Sequence, residues 1–428
     1  MRAGFPSWIS RMSLVNNGMV DDYFMAPADD LLRNYIRSGR DLGGGLTDAR
    51  FIRLGITRAL EGDESGRAFL QALADQPGAT AVPRSTWFDA FQSARRLELL
   101  TEMATTSYRR FERELAGRDW LASFPELREV PVWAVDGHQI EHACHAPRDR
   151  KAEHLASGMT YGLCLHTGLL RPLARFQGDG VRQHEWPVFK KNWRHWLVAE
   201  PRPNMPIIVV DPAYIDNQYW LLQKIQGQAM VITREKENMK PMVYGPVGFE
   251  RDDPVNRGVL AYEYVGYSNA ALRRVRYKDP ATGEEFVFIT TCPEQMRPGL
   301  IALLYFLRWK IEKAYDVFKN KFKGRKAWGV GDTPALMQAH FMALLHNLLT
   351  VLLARMEHIG TPDQKVLDKA EKRRAGRPED KRVPAQEMVR HAHALSSQFI
   401  RLVRHCLRYR IRWPDALPLF KQRLSAYL

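Results

Sequence analysis

Three carboxylates in the 428-residue chain stand where they could do chemistry. Asp136 follows the β-type run Glu129–Val135, and Asp211 follows the apolar run Pro206–Val210. Glu312 sits in a helix-forming segment, inside the most basic stretch of the chain. Taken singly, each has an ordinary explanation. An aspartate at a strand end is usually a turn residue or a helix cap, and a glutamate among lysines is usually an i,i+4 partner on a solvated face. The neighbours of Glu312 shift that balance. Arg308, Glu312 and Lys319 lie 3, 7 and 14 residues beyond Tyr305. At about 100° per residue, all four fall on one helical stripe about 60° wide. A purely structural helix puts apolar residues on one face and scatters its charges elsewhere. Here one stripe holds a hydroxyl, a guanidinium, a carboxylate and an ammonium, a set suited to a phosphate ester with a metal beside it.

The residue types follow from that chemistry. Attack on a phosphodiester builds negative charge on the transferring group and on the leaving oxygen. Two divalent cations about 3.5–4 Å apart stabilise both oxygens. Mg²⁺ takes carboxylate and water oxygens, so three carboxylates from separate elements would offset its charge and leave room for substrate. Tyr305, Arg308 and Lys319 would then hold neighbouring phosphates, arginine through its planar fork and lysine as a point charge. Arg234 and Lys323 are further candidate DNA contacts.

The segment Tyr305-Phe-Leu-Arg308-Trp-Lys-Ile-Glu312-Lys-Ala-Tyr-Asp-Val-Phe-Lys319 resembles the Y-x2-R-x3-E-x6-K signature of DDE-type insertion-sequence transposases of the "insertion sequence four" group. The contexts of Asp136-Gly137 and Asp211-Pro-Ala-Tyr214 resemble that family's two Asp motifs. The β-rich stretch between Asp211 and Glu312 resembles its insertion domain, and Thr333–Asn347 its following helix. The resemblance covers about Val130–Asn347, roughly half the chain. It implies an α/β fold with an RNase H-like catalytic core, interrupted by a β-rich insertion domain and flanked by helical N- and C-terminal regions. Asp136, Asp211 and Glu312 would be the catalytic metal ligands, with Mg²⁺ as the ion and Mn²⁺ as a substitute. The implied activity is cleavage of double-stranded DNA at terminal inverted repeats, followed by strand transfer into target DNA by a homodimer. One feature departs from the pattern. Relatives stack a flipped base on a Trp of the insertion, and no Trp lies between Leu222 and Leu300. Tyr244, Tyr262, Tyr264, Phe286 or Phe288 would have to serve instead.

The charge balance points the same way. Lys plus Arg number 63 against 48 Asp plus Glu, a net +15, which concerns partners rather than fold. The charge is clustered: Arg308–Lys326, Arg401–Arg412 and Glu371–Arg382 are all rich in basic residues. Such clusters suit a polyanion. With 45% hydrophobic and 26% charged residues, the composition excludes a disordered tail, a collagen or a coiled-coil rod. The four cysteines are dispersed without a C-x-x-C pair, which argues against a disulfide framework and for a reducing compartment. The N-terminus lacks a signal-peptide h-region. The longest apolar stretch, Phe341–Ala354, is short for a membrane span and reads as a buried helix. The expected setting is therefore cytoplasmic and DNA-associated, with no membrane.

The elements that must position these residues divide into five expected segments. Residues 1–125 are helical, with Thr47 or Asp48 capping one helix and Ser85-Thr86 opening a long one. Arg95 and Arg96 on that helix make a DNA-end-binding module one reading and plain short helices the other. Residues 126–222 form the first part of the core, 223–300 a β-rich insertion and 301–358 the second part with the Glu helix. Residues 359–428 form a basic linker with C-terminal helices. His138, His142, Cys144 and His145 offer a zinc reading against the plainer one of exposed loop histidines. Ala375–Pro378 resembles a minor-groove hook, or else a solvated linker. Trp220 and Trp309 read as packing residues. Two further functional readings stay open: a catalytically silent DNA-binding descendant of a transposase, and a metal-dependent nuclease that cuts without joining.

Overall fold

The structure, a computed structural model, describes residues 18–37, 45–62, 65–75, 80–116, 119–141, 155–176, 185–197, 204–267, 270–359, 395 and 397–424. In chain order the described elements begin with helices α1 (Val20–Arg37), α2 (Asp48–Glu61), α3 (Gly66–Ala74), α4 (Arg84–Ala90) and α5 (Ala94–Leu115). Strands β1 (Val132–Glu141), β2 (Leu155–Cys164) and β3 (Leu170–Phe176) follow, then α6 (Glu185–Leu197), β4 (Ile207–Val210) and α7 (Asn217–Ile225). Next come β5 (Met230–Arg234), β6 (Met242–Pro246), β7 (Val259–Tyr267), β8 (Ala270–Lys278) and β9 (Glu285–Thr290). The chain continues with α8 (Pro298–Asp316), a π-helical turn at Val317–Lys321, α9 (Asp332–Ile359), α10 (Ser397–Arg408) and α11 (Trp413–Leu424). These elements form two compact units.

One unit is helical and lies within Met1–Phe111, Val317–Lys372 and Leu395–Leu428. Thr47 caps α2 by accepting from the Arg50 amide at 3.2 Å, a contact worth about 1 kcal/mol. The helix ends at Gly62, whose φ of +70° suits glycine. The long helix expected from Ser85 is two helices. Phe91 leaves the first to pack against Phe51, Trp87, Trp328 and Phe341, and Ser93 recaps the second by accepting from the Arg96 amide at 3.3 Å. Helix α9 packs on α2 in this unit. Its stretch Asp332–Arg355 is long and apolar enough to cross a membrane by length and composition, and 89% of it is buried inside the protein. The stretch is thus longer than the sequence alone indicated, and its burial is that of a core helix.

Arg95 and Arg96 both bond to Asp48, Arg96 from a buried position and Arg95 from an exposed one. Arg95 Nη1 and Nη2 donate to Asp48 at 2.5 and 2.8 Å, and Arg96 Nε donates to it at 2.9 Å. The two cations tie α5 to the start of α2. Burial alone would raise the Asp48 carboxyl pKa, but the hydrogen bonds from Arg95 and Arg96 outweigh it and hold the group below 3.8.

The other unit is built on a nine-stranded sheet, within Glu112–Asp316, in the order β3-β2-β1-β4-β5-β9-β8-β7-β6. Strands β1, β4 and β5 are parallel neighbours, and every other pair is antiparallel. Helix α8 packs on β1, β4, β5 and β8, and α6 packs on β2 and β3. All four residues of β4 are buried, as a strand in a sheet interior requires. The mixed α/β class matches expectation, but the divisions differ. The β-rich stretch 223–300 is continuous with the core sheet through β4, β5 and β9, so the expected boundary at 222/223 cuts through one sheet. The Glu helix and α9, expected in one segment, fall in different units, divided between Asp316 and Val317. Strand β6 and helix α7 were not foreseen. Residues 360–394, with the basic run and the Ala375–Pro378 segment, lie outside the described residues.

Asp48→Ala would leave the Arg96 guanidinium, 9% exposed, without its carboxylate. The expected loss is roughly 3–5 kcal/mol of unfolding free energy. Arg95→Ala, whose side chain is 43% exposed, should cost much less. Denaturant titration of both variants checks the order, and equal losses would show that the ion pair is not what joins α2 to α5.

Candidate active site

The parallel register of β1 and β4 brings the two aspartates together. Val132 pairs with Ile207, and the ladder runs to Val135 with Val210. Asp136 and Asp211 are the next residues on strands about 4.8 Å apart. There the strands part. Asp211 has extended backbone, and its carboxylate accepts from the Ala213 amide at 2.9 Å, capping a short 3-10 turn that opens with Pro212. Strand β1 does not end at Asp136 as expected. It continues to Glu141 because β2 still pairs with it, Asp136 opposite Tyr161 and Gly137 opposite Thr160. The Asp136 Oδ1 accepts from the Gly137 amide at 2.9 Å.

Helix α8 supplies the third carboxylate. Glu312 Oε1 accepts from Arg308 Nη2 at 2.7 Å, and the Arg308 guanidinium lies 5.4 Å from the centre of the Tyr305 ring. Three residues of the expected stripe therefore sit together. The Tyr315 hydroxyl donates to the Asp136 carbonyl at 2.7 Å and pins α8 to β1. At the end of β5, Arg234 stacks 5.4 Å from the centre of the Phe286 ring, and its charge reaches Tyr305. Lys319 lies past the end of α8, in the π-helical turn, where 100° per residue no longer applies. It and Lys323 belong to the helical unit, and both are exposed.

A fourth carboxylate escaped the sequence reading. Glu185 opens α6, and its carboxylate fills the space that a Cβ on Gly137 would need. No sequence signal marks it, because an acidic residue in the first turn of a helix is ordinary. Gly137 is thus not a turn glycine but a contact surface for Glu185. Behind them the Tyr214 hydroxyl is fully buried without a hydrogen bond of full geometry, and it leans toward Glu185.

The carboxylates disturb one another. Burial pushes the Asp136 carboxyl from its ordinary 3.8 up to about 6; Asp211 and Glu312 add to the rise, while the Gly137 amide and Arg308 oppose it. Burial, then the charge of Asp136, pushes Glu185 from 4.5 up to about 7. Burial lowers the Arg308 pKa, but Tyr305, Glu312 and Asp136 outweigh it and keep the group above its usual value. Among the described residues, no three of His, Cys, Asp and Glu are gathered closely enough to hold one metal ion. Each of the three carboxylates is engaged within the protein, Glu312 by Arg308, Asp211 by the Ala213 amide and Asp136 by the Gly137 amide.

No protein-family model matches the chain. No curated protein matches it either. Among solved structures it is similar to a piggyBac transposase in a synaptic complex with hairpin DNA. That match has a TM-score of 0.37 and 14% identity, and covers 89% of this chain and 76% of the other. At that score the likeness speaks to neither fold nor function.

Several expected roles change. His138 is not an exposed loop histidine but lies buried on β1, its ring 5.1 Å from that of Tyr315; His142, Cys144 and His145 lie outside the described residues. Trp220 is a packing residue, donating to the Tyr214 carbonyl at 3.0 Å, but Trp309 is 53% exposed. Of the five stacking candidates, Tyr262 and Phe288 are buried and Tyr244 is 61% exposed.

The raised carboxyls fix a pH dependence. An acid whose folded pKa is raised holds its proton more tightly in the native state. Stability therefore falls as pH rises from the ordinary value through the folded one, and the cost is complete above it. For Asp136 that window runs from 3.8 to about 6 and for Glu185 from 4.5 to about 7. Asp136→Asn and Glu185→Gln should each be more stable than the parent at pH 8, by roughly 1–3 kcal/mol. The gain should vanish near pH 4. Melting curves across that range check it, and a gain independent of pH would point to packing instead.

Proposed function

We propose that the protein is a DDE-type transposase, cutting double-stranded DNA at the inverted-repeat ends of a mobile element and joining the freed ends to target DNA. The observation that carries the proposal is the level placement of Asp136 and Asp211 on parallel neighbours β1 and β4, with Glu312 on the helix packed against both strands. The Tyr305–Lys319 pattern, which resembles the signature of the "insertion sequence four" group, supports it, and the block β3-β2-β1-β4-β5 supports an RNase H-like reading of the core.

Carboxylate oxygens are the donors a hard divalent ion prefers, so the residues fit Mg²⁺ in kind. Asp136, Asp211 and Glu312 would hold it, once Glu312 leaves Arg308 and the aspartates leave their amides. The bound ions would stabilise charge on the attacking and leaving oxygens of the phosphodiester. The other roles belong to the chain. Arg308, released from Glu312, is placed to take a phosphate through two of its N–H groups. Tyr305 packs against its guanidinium and fixes the direction of the fork. Tyr315 holds the β1 backbone at Asp136 against α8. In this reading the protein acts on DNA as a homodimer.

The test incubates purified protein with supercoiled DNA carrying the gene's own flanking sequences and Mg²⁺ or Mn²⁺. Asp136→Ala, Asp211→Ala and Glu312→Ala should each slow cleavage about a hundredfold or more, the scale of several kcal/mol of charge stabilisation. Duplex binding should persist. Cleavage by all three variants at the parent rate would remove the site from the reaction. Cutting without joining would leave a nuclease, and tight binding without any metal-dependent cut a silent descendant.

A further inference from the structure

We propose that the helical unit carries a second contact surface for the DNA backbone, formed by the exposed face of α10 together with the 319–326 segment. The two pieces meet at a defined junction. Arg404 donates through Nε to the Leu60 carbonyl at the end of α2 and through Nη2 to the Lys321 carbonyl in the π-helical turn. Gly62, with φ +70°, leaves the room that Arg404 and the Lys321 carbonyl occupy. The segment after α8 is thereby fastened beside α10.

Helix α10 is sharply two-sided. Phe399, Ile400, Leu402, Val403 and Cys406 are buried. Arg401, His405 and Arg408 are exposed and, at offsets 4 and 7, share one face. Across the junction Lys319, Lys323 and Lys326 are also exposed. Two nearby acids are already engaged, Glu61 by Arg408 at 2.6 Å and Asp415 by Arg412 at 2.9 Å. Of the five arginines from Arg401 to Arg412, Arg404 is tied inward and Arg408 and Arg412 are paired with acids, which leaves Arg401 and Arg410 for a partner. A surface of this charge, with Tyr409 66% exposed at its end, complements a row of phosphates.

Backbone geometry supplies a second, independent observation. Among the described residues, the non-glycine residues with positive φ are Lys323 and Arg410, both at +47°. Each ends a helical segment. The Gly324 amide donates to the Phe318 carbonyl at 2.8 Å, and the Ile411 amide to the Cys406 carbonyl at 2.9 Å. Glycine is preferred at such positions, because a Cβ crowds the left-handed backbone. Both places hold a long cation instead, at the rim of the same surface.

The test measures binding of full-length protein to a short DNA duplex of unrelated sequence across a NaCl titration. Arg401→Glu with Lys326→Glu should reduce the slope of log K against log salt by about 0.9 per lost contact, about 1.8 together. Lys323→Gly with Arg410→Gly should bind DNA more weakly while melting no lower than the parent, which a merely structural role would not give. Unchanged slopes in both pairs would overturn the proposal. So would unchanged DNA binding with lost binding to phosphatidylserine–phosphatidylcholine vesicles, which would make the surface a membrane contact. The inference rests on the DNA-binding half of the proposed function and not on its chemistry. Loss of cleavage in the carboxylate variants and loss of slope in the surface pairs are therefore separable failures.

Discussion

The site depends on one register, that of β1 against β4. Four paired residues, Val132–Val135 against Ile207–Val210, put Asp136 level with Asp211. A slip by one residue would turn a whole strand's side chains to the other face. Burial of all four β4 residues opposes such a slip. The end of β4 is equally determined. Pro212 has no N–H for a ladder, and Asp211 is spent capping the turn that Pro212 opens. Strand β1, still paired with β2, runs on without β4 beside it. Asp136 therefore has a strand on one side and none on the other, an arrangement that backbone alone creates before any side-chain chemistry is considered.

Into that gap the fold puts more negative charge than it can comfortably hold. Asp211 and Glu312 add to the rise of Asp136, Asp136 and Asp211 to that of Glu185, and Arg308 is the cation among them. Arg308 is 7% exposed and bonded to Glu312, so it already offsets part of the charge that a divalent ion would offset. Arginine and metal thus compete for one carboxylate. A divalent ion neutralises more charge than one guanidinium, while Arg308 has a phosphate as its natural alternative partner. Substrate and ion would in that case arrive together at lower cost than either alone.

Much of this was legible in the sequence, and the failures are instructive. Asp136, Asp211 and Glu312 could be grouped from residue type and spacing, which are local properties, and the fold puts the two aspartates on neighbouring strands with Glu312 on the helix beside them. The apolar run Pro206–Val210 became strand β4 for the same reason, a short buried run closed by Asp211-Pro212. Strand β6 was invisible, because Met242–Pro246 is an edge strand with mostly exposed residues and so has no burial pattern to read. Asp136-Gly137 looked like a turn, since only the fold reveals that Glu185 needs the missing Cβ. Continuity of the β-rich stretch with the core sheet depends on pairing between distant segments, which spacing along the chain does not encode.

Charge was the least reliable guide when read as a count. Arg96 looks on paper like Arg401, yet Arg96 is buried on Asp48 and Arg58 lies 4.4 Å from the centre of the Trp328 ring, 2% exposed. These arginines hold helices together. A surplus of +15 therefore overstates what a polyanion can meet, because part of it is internal structure. What remains for a partner is set by the opposite faces of the same helices. In α10 the apolar residues fix which way the helix turns, and that alone commits Arg401 and His405 to solvent. Packing of the core thus decides where the protein is basic.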